Sequence, residues 1–305
     1  MPAQFQVGDQ QKDYCMRCAI LSDIHGNVEA LRATLDDITR FTFEQRAPLD
    51  AIWCLGDIVG YGPTPSECVQ IIREQCRVCI AGNHDWAAIG KIDLDDFSDA
   101  AASSAEWTGK QLSVDERMYL RSLPERVTLG EFTLAHGSPS NPIWEYLTTP
   151  PAAAPNFAAF ETPFCLVGHT HLPTIFLQAI RPSSRISIPL SGSIPDAELF
   201  AINAFGGNPR IDSGILRGRA ELTPRCEQIV PSPGLWLLPP GHRAIINPGS
   251  VGQPRDGDPR AAYLIYDSAI GFEFRRVTYD IGATQRMMQD YGLPARMVAR
   301  LARGI

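Results

Sequence analysis

Apolar residues in this chain gather into short blocks, each followed by a polar, glycine-bearing loop. The block at 17–21 (RCAIL) leads into SDIHGN, and the block at 51–55 (AIWCL) leads into GDIVGYG. Residues 77–80 lead into AGNHD, 132–135 into HGS, and 164–167 into GHTH. Blocks of this length bounded by turn residues predict buried strands. Between them the period changes. Val28, Leu31, Leu35 and Ile38 recur at helical spacing and predict a helix over residues 28–40. Thr64-Pro-Ser-Glu67 has the spacing of a capping box, with Pro65 at a tolerated first-turn position. Residues 98–111 predict a further helix. A second capping box, Ser113-Val-Asp-Glu116, opens one that Pro124 stops. Strand alternating with helix predicts a layered α/β domain with parallel pairing at its centre. In such sheets ligands bind beyond the carboxyl ends of the strands, where these polar loops fall.

The character changes over residues 178–241, which are rich in Pro and Gly and weak in periodicity. This stretch is expected to be an insertion of irregular strands and loops, either passive or forming a lid or partner surface. Regular pattern returns with a strand at 244–247, the loop NPGSVGQPRDGDPR, and two alternating runs at 262–266 and 272–277 that predict a hairpin. Two short helices split at Gly292-Leu-Pro294 complete the chain. The expected organisation is a polar extension at 1–16 and one domain over 17–305.

Composition narrows the function. The 305 residues are 44% hydrophobic and 20% charged, ordinary for a globular protein. A net charge of −7 without a long basic block argues against a nucleic-acid partner. No apolar run reaches membrane-spanning length, and the first fifteen residues lack the apolar core of a secretory signal. A cytoplasmic setting is expected. Among eight cysteines, Cys15/Cys18 and Cys76/Cys79 have CxxC spacing. Cys18 and Cys79 fall inside apolar runs where a zinc knuckle needs a turn, so they read as small buried hydrophobes.

The chemistry lies in the loops. They carry Asp23 and His25, Asp57, Asn83 and His84, His136, and His169 and His171. Five of the six histidines are in this set. Carboxylates and imidazoles with one amide suit borderline divalent metals such as Mn, Fe, Zn, Co or Ni. Seven of these side chains already exceed the needs of one ion with an open position, and divide over two ions if one carboxylate bridges. Two such ions clamp the attacking and leaving oxygens of an in-line displacement at phosphorus.

The ordered set DIHGN, GDIVGYG, GNHD, AHGS, GHTH and NPGSVGQPR resembles the calcineurin-like metallophosphoesterase superfamily, in its compact bacterial phosphoesterase branch. The resemblance runs from Arg17 to about Val277, the insertion excluded. It implies an α/β fold, a four-layer α/β/β/α sandwich with a dinuclear metal site at the strand ends. By motif, Asp23, His25 and His171 would hold one metal, and Asn83, His136 and His169 the other, with Asp57 bridging. Manganese leads the candidate metals, with Fe, Zn, Ni, Co and Mg behind it. The family's nucleophile is a hydroxide bridging the metals. His84 would protonate the leaving oxygen or stabilise developing charge; the alternative is that it orients Asn83 or another ligand.

Other positions keep two readings. Asn27 either donates to a phosphate oxygen or caps the helix it precedes. Arg255 either pairs with phosphate or forms an ion pair with Asp256 or Asp258. Tyr61 and Trp86 either stack on a base or aryl group or pack the core. In the protein Ser/Thr phosphatase branch an acid lies three residues beyond the bridging Asp, followed by an arginine. Here those positions are Gly60 and Tyr61. Asp85 is the candidate to orient His84 in place of that acid. Losing the arginine favours a singly charged diester over a doubly charged monoester. The expected activity is therefore hydrolysis of a small phosphodiester. A phosphomonoesterase, protein phosphatase or dinucleoside-polyphosphate hydrolase is the alternative, and a non-catalytic interaction module of the same fold a remote one.

Overall fold

A computed structural model describes residues 16–180 and 225–305. Two six-stranded sheets form its centre. The first has the order β3 (Val78–Cys79), β2 (Ala51–Cys54), β1 (Arg17–Leu21), β11 (Ala261–Asp267), β12 (Gly271–Val277) and β9 (Gly234–Trp236). The second runs β4 (Arg126–Leu129), β5 (Phe132–Ala135), β6 (Phe164–Leu166), β10 (His242–Asn247), β7 (Thr174–Ala179) and β8 (Cys226–Ile229). Pairing is parallel among β1, β2 and β3, and among β5, β6 and β10; the remaining pairs are antiparallel.

The apolar blocks are unbroken because each strand is covered on both sides. In β1, Ala19 and Leu21 face a core with Leu31 and Ile38 of helix α1 (Val28–Gln45) and Val69 and Ile72 of α2 (Pro65–Gln75). Cys18 and Ile20 point the other way, into the space between the sheets with Phe132, Leu134, Leu166 and Ile246. Ile245 of β10 faces a third core with Phe157, Phe160 and Phe176, beneath α6 (Pro150–Ala153) and the 3-10 turn Ala154–Ala158. The period of two is therefore present but divided between apolar partners. Helices, sheet, sheet, helices: these are the four layers of the expected sandwich.

Helix α4 (Asp99–Gln111) starts at Ser98, whose side chain accepts from Ala101 N. Helix α5 (Val114–Ser122) has both hydrogen bonds of the Ser113/Glu116 capping box. The other predicted box does not form. Thr64 Oγ1 instead donates to Gly26 O and accepts from Val28 N, tying the DIHGN loop to the start of α1. Helix α1 overruns its predicted end and closes at Arg46, in the left-handed region. The sequence GNHDWAA, expected as a loop, turns into helix α3 (Asn83–Ala88).

The hairpin β11–β12 and the helices α7 (Ile281–Asp290) and α8 (Ala295–Leu301) match their predictions. Met288, Leu293, Met297 and Leu301 of this terminal segment pack on Ala101 and Tyr61, beside the site. Residues 1–15, most of the expected polar extension, and 181–224, most of the expected insertion, lie outside the described residues. The remainder of the 178–241 stretch includes the short strands β8 and β9. β8 pairs with β7 in one sheet and β9 with β12 in the other. Among the described residues no helix is long and apolar enough to cross a membrane. The described cysteines are free, and no candidate metal-holding cluster among the described residues contains one.

Candidate metal centre

The loops after β1, β2, β5 and β6 converge at the carboxyl ends of their strands. Asp23 N and His25 N donate to Gly56 O and Asp57 O, so the loops after β1 and β2 stay paired. Gly168 N donates to His136 O and joins the loops after β6 and β5. The loop after β10 closes the ring: Ser250 Oγ donates to Asp23 O, and Gly252 N to the same oxygen. Asn247 Nδ2 donates to Gly168 O, holding the GHTH turn.

This convergence bends the backbone hard. Seven described non-glycine residues have positive φ, and six of them are Asp23, His25, Asp57, Tyr61, His169 and His171, with φ between +50° and +65°. Left-handed backbone is costly for ordinary residues and persists where surrounding structure enforces it, as at functional sites.

Five of the expected ligands and Asp57 fall into two groups that share this carboxylate. Asp23, His25, Asp57 and His171 bring ligand atoms within 4.8 Å of one another, and so do Asp57, His136 and His169. All are buried. Each imidazole has one nitrogen committed to a backbone carbonyl. His25 Nδ1 donates to Val59 O (3.1 Å), His136 Nδ1 to Leu55 O (2.8 Å), and His171 Nδ1 to Gln253 O (2.6 Å). His169 uses Nε2 instead, donating to Trp144 O (3.2 Å). These bonds fix the tautomers and leave the opposite nitrogen of each ring as a lone pair facing the site.

The lone pairs face one another. His25 Nε2 and His171 Nε2 are 3.1 Å apart. Asp57 Oδ2 is 3.2 Å from His136 Nε2 and 3.5 Å from His25 Nε2. Asp57 Oδ2, Asn83 Oδ1 and His136 Nε2 are buried without a hydrogen-bond partner. Orphaned buried acceptors are costly unless a ligand satisfies them. Asp57 and His136 belong to one of the two groups, so the donor set fits divalent metal ions. Electrostatics agree. Burial holds His25 and His171 well below the usual imidazole range, and His169 at about 3, so these rings stay neutral. Burial pushes Asp57 up, but His136 and His84 beside it outweigh this and hold it well below the usual range. Burial lowers His136, but the Asp57 carboxylate beside its Nε2 lifts it to about 9, so this ring favours a positive charge at its Nε2 side.

His84 lies next to the cluster. Its backbone N–H donates to Asp57 Oδ1 (2.8 Å), fixing the carboxylate so that Oδ2 is the free oxygen. Its ring contacts Tyr61 (centroids 4.4 Å apart), His25 (5.0 Å) and Phe97 (5.1 Å). His84 Nδ1 is buried without a partner. A Cβ added at Gly60 would lie 2.8 Å from that nitrogen, at φ +89°. His84 is packed so close to Gly60 that no acidic side chain fits at this position without displacing it. Asp85 does not supply the missing acid. Its Oδ1 accepts from Ile58 N and Val59 N, and its Oδ2 from Gly82 N, so it holds the GDIVG loop rather than His84.

Two further expectations are resolved by partners. Asn27 is the N-cap: Oδ1 accepts from Ala30 N and Thr284 Oγ1, while Nδ2 donates to Gly252 O. Arg255 does not pair with Asp256 or Asp258, which bind Arg276 and Arg260. Its Nη2 donates to Gln253 Oε1, and its guanidinium lies 5.9 Å from the centre of the Tyr61 ring. The charge of Arg255 bears on Asp23, His25, His84 and His171. Trp86 is core, with the Lys91 ammonium 3.2 Å from its ring centre.

Sequence reasoning passed over an aromatic rim. Tyr146, half exposed, stacks on His169 with centroids 3.8 Å apart, and Phe97 bridges His84 and Trp144. The run IWEY at 143–146 follows HGSPSNP, and its position seven to ten residues beyond His136 was the available signal.

The fold and this cluster together define a metal-dependent hydrolase of phosphoric esters. The chain belongs to the calcineurin-like phosphoesterase family, which residues 16–173 match. An uncharacterized protein of Methanocaldococcus jannaschii is 32% identical over 292 residues, covering 94% of this chain and 97% of that protein. The crystal structure of a metallophosphoesterase from Sphaerobacter thermophilus is 40% identical, with a TM-score of 0.70 over 95% of this chain and 100% of that one. A hypothetical protein from Pyrococcus horikoshii shares the fold at 19% identity, with a TM-score of 0.65 over 95% and 99% of the two chains.

Proposed function

We propose that this enzyme is a two-metal phosphodiesterase acting on a small diester. Asp23, His25 and His171 would hold one ion, and Asn83, His136 and His169 the other, with Asp57 Oδ2 between them. Two divalent ions, manganese first, would supply positive charge to the phosphoryl oxygens and acidify a water for attack. The chain's own residues do the rest. Asp57 is held by the His84 N–H, so the two ligand groups keep a fixed separation. His84, wedged between Tyr61 and Phe97, stands beside the ligands without joining either group and is placed to give a proton to the departing oxygen. Arg255 offers one guanidinium to a non-bridging phosphoryl oxygen.

The observation that carries the diester reading is the Gly60–Tyr61 pair. Gly60 leaves His84 Nδ1 without an acid, and Tyr61 fills the position of the phosphatase arginine with a ring against His25 (4.7 Å) and His84 (4.4 Å). A single guanidinium matches one negative charge better than two. The free cysteines and the acidic balance support a cytoplasmic setting and a small substrate rather than nucleic acid.

The test compares bis-p-nitrophenyl phosphate with p-nitrophenyl phosphate on manganese-loaded protein. A higher kcat/KM for the diester is expected. Preference for the monoester would favour the second reading, which the position of Arg255 over Tyr61 supports, and would overturn this one.

A further inference from the structure

Beyond Tyr61 lies a cleft of about 700 Å³ that the metal chemistry does not use. Its walls include Tyr61, Ser98 and Asp99 on one side and Arg296, Arg300 and Arg303 on the other. The volume suits a small molecule. The three arginines follow a sequence rule: positions 296, 300 and 303 are i, i+4 and i+7, one stripe of α8 and the turn after it. Like charges at that spacing repel and weaken a helix. Elsewhere on this chain arginines meet carboxylates, as Arg17, Arg260, Arg275 and Arg276 do. Among the described residues Arg296 and Arg303 do not, while Arg300 Nε donates to the terminal oxygen of Ile305, which lines the cleft as well, leaving its Nη groups for a ligand. Asp99 is the acid of the cleft, and it lies outside ion-pair range of them. Burial first, then the neighbouring charges of Arg255 and Arg296, lower the pKa of Arg300.

Tyr61 connects this cleft to the chemistry. One edge of its ring touches His25 and His84, Arg255 lies near its face, and the same side chain lines the cleft. Tyr61 N is fixed by Ser104 Oγ (2.6 Å), and its ring is 8% exposed, so the wall is rigid. With three arginines against one acid, Asp99, the cleft favours an anion. Guanidinium forks match phosphate oxygens in geometry as well as charge.

We infer that the Arg296–Arg300–Arg303 cleft is a distal-phosphate subsite, so that the substrate is a small phosphodiester carrying a second phosphate group. This rests on the phosphodiesterase reading for the reacting bond, and adds the chemistry of the substrate's other arm.

The experiment uses the manganese-loaded full chain and two ligand pairs, each differing by one phosphate. In the turnover arm, thymidine 5′-(p-nitrophenyl phosphate) is compared with the same ester bearing a 3′-phosphate. In the binding arm, calorimetry compares thymidine 5′-monophosphate with thymidine 3′,5′-bisphosphate at fixed ionic strength. The second phosphate is expected to lower KM and Kd at least tenfold in the wild type. In Arg300→Gln/Arg303→Gln, with thermal melting as the folding check, that advantage should fall to under threefold. Equal Kd for the two nucleotides in the wild type, or an advantage the double variant keeps, overturns the subsite. Absence of ester hydrolysis with the bisphosphate preference intact overturns the phosphodiesterase reading and leaves the subsite standing. Binding of a single-stranded oligonucleotide more tightly than the bisphosphate would replace the small substrate with a nucleic-acid end, and so overturn the proposal as stated.

Discussion

His25 Nε2 and His171 Nε2 face each other at 3.1 Å, while the Nδ1 of each ring donates to a backbone carbonyl. Two lone pairs at that separation repel unless a cation lies between or beside them. Residues 146 positions apart in sequence are locked into this arrangement by the Val59 and Gln253 carbonyls. Pre-set tautomers of this kind mark metal-holding imidazoles. The predictions start from that geometry.

Asp57 is the residue shared by both ligand groups. Asp57→Asn keeps the shape but gives one of the two oxygens to an amide. Metal analysis after dialysis should show loss of more than one ion per chain, and turnover should drop below detection. Full metal content in this variant would remove the bridging assignment. Treating the wild type with a chelator should abolish activity, and adding manganese back should restore it.

His84 makes contacts of ring to ring with Tyr61 and Phe97 and gives only its backbone N–H to Asp57. His84→Ala should therefore retain metal within error while kcat falls about 10²–10⁴-fold, the range for acid–base groups. Loss of metal would move His84 from catalysis to support of the ligands.

Gly60 is required by its neighbour as much as by its own backbone. An added Cβ would meet His84 Nδ1 at 2.8 Å and Cβ at 3.0 Å, at φ +89°. Gly60→Ala should destabilise the fold by about 1–3 kcal/mol, the cost of enforced backbone strain. It should also displace His84, lowering kcat more than it raises KM. A thermal melt and a rate curve on the same sample check both.

Far from the site, Asp37 is buried under α1 and accepts from Tyr263 Oη (2.7 Å) and Arg275 Nε (2.9 Å). Burial alone would raise its pKa, but these hydrogen bonds outweigh it and leave the carboxyl below its ordinary value. A folded pKa below the unfolded one contributes stability above the unfolded value, about 3.9, which is lost as pH falls through the folded value. Asp37→Asn should thus cost about 1.5–3 kcal/mol near pH 7, the worth of hydrogen bonds to a charged group. The gap between wild type and variant should be flat above about pH 5 and shrink below about pH 4. Urea denaturation across that range measures it; a gap independent of pH would contradict the assignment.

Much of this was legible in the chain. The blocks at 17–21, 51–55 and 132–135 gave strands because apolar runs between turn residues have few other uses, and burial on both faces explains their lack of alternation. Ser113 and Glu116 formed their capping box because both partners are local. Thr64 and Glu67 had the same spacing, yet Thr64 was drawn to Gly26 and Val28, neighbours that only folding supplies. The helix of Asn83–Ala88 was missed because glycine and asparagine suggest a turn, whereas Gly82 N is held by Asp85 and the first turn is pinned to Asp57.

The same division holds at the site. By itself the sequence determined which residue types bear the chemistry and that they follow strands, since motif order and apolar punctuation are properties of the chain alone. Tertiary structure decided what each of them can do. It set the imidazole tautomers through distant carbonyls, turned Asn27 and Asp85 to the backbone, and swung Arg255 toward Tyr61. It also brought the arginines of the last helix to the far side of that ring. Hydrogen bonding and charge act over ångströms in space, and those distances exist only once the loops of both sheets have met.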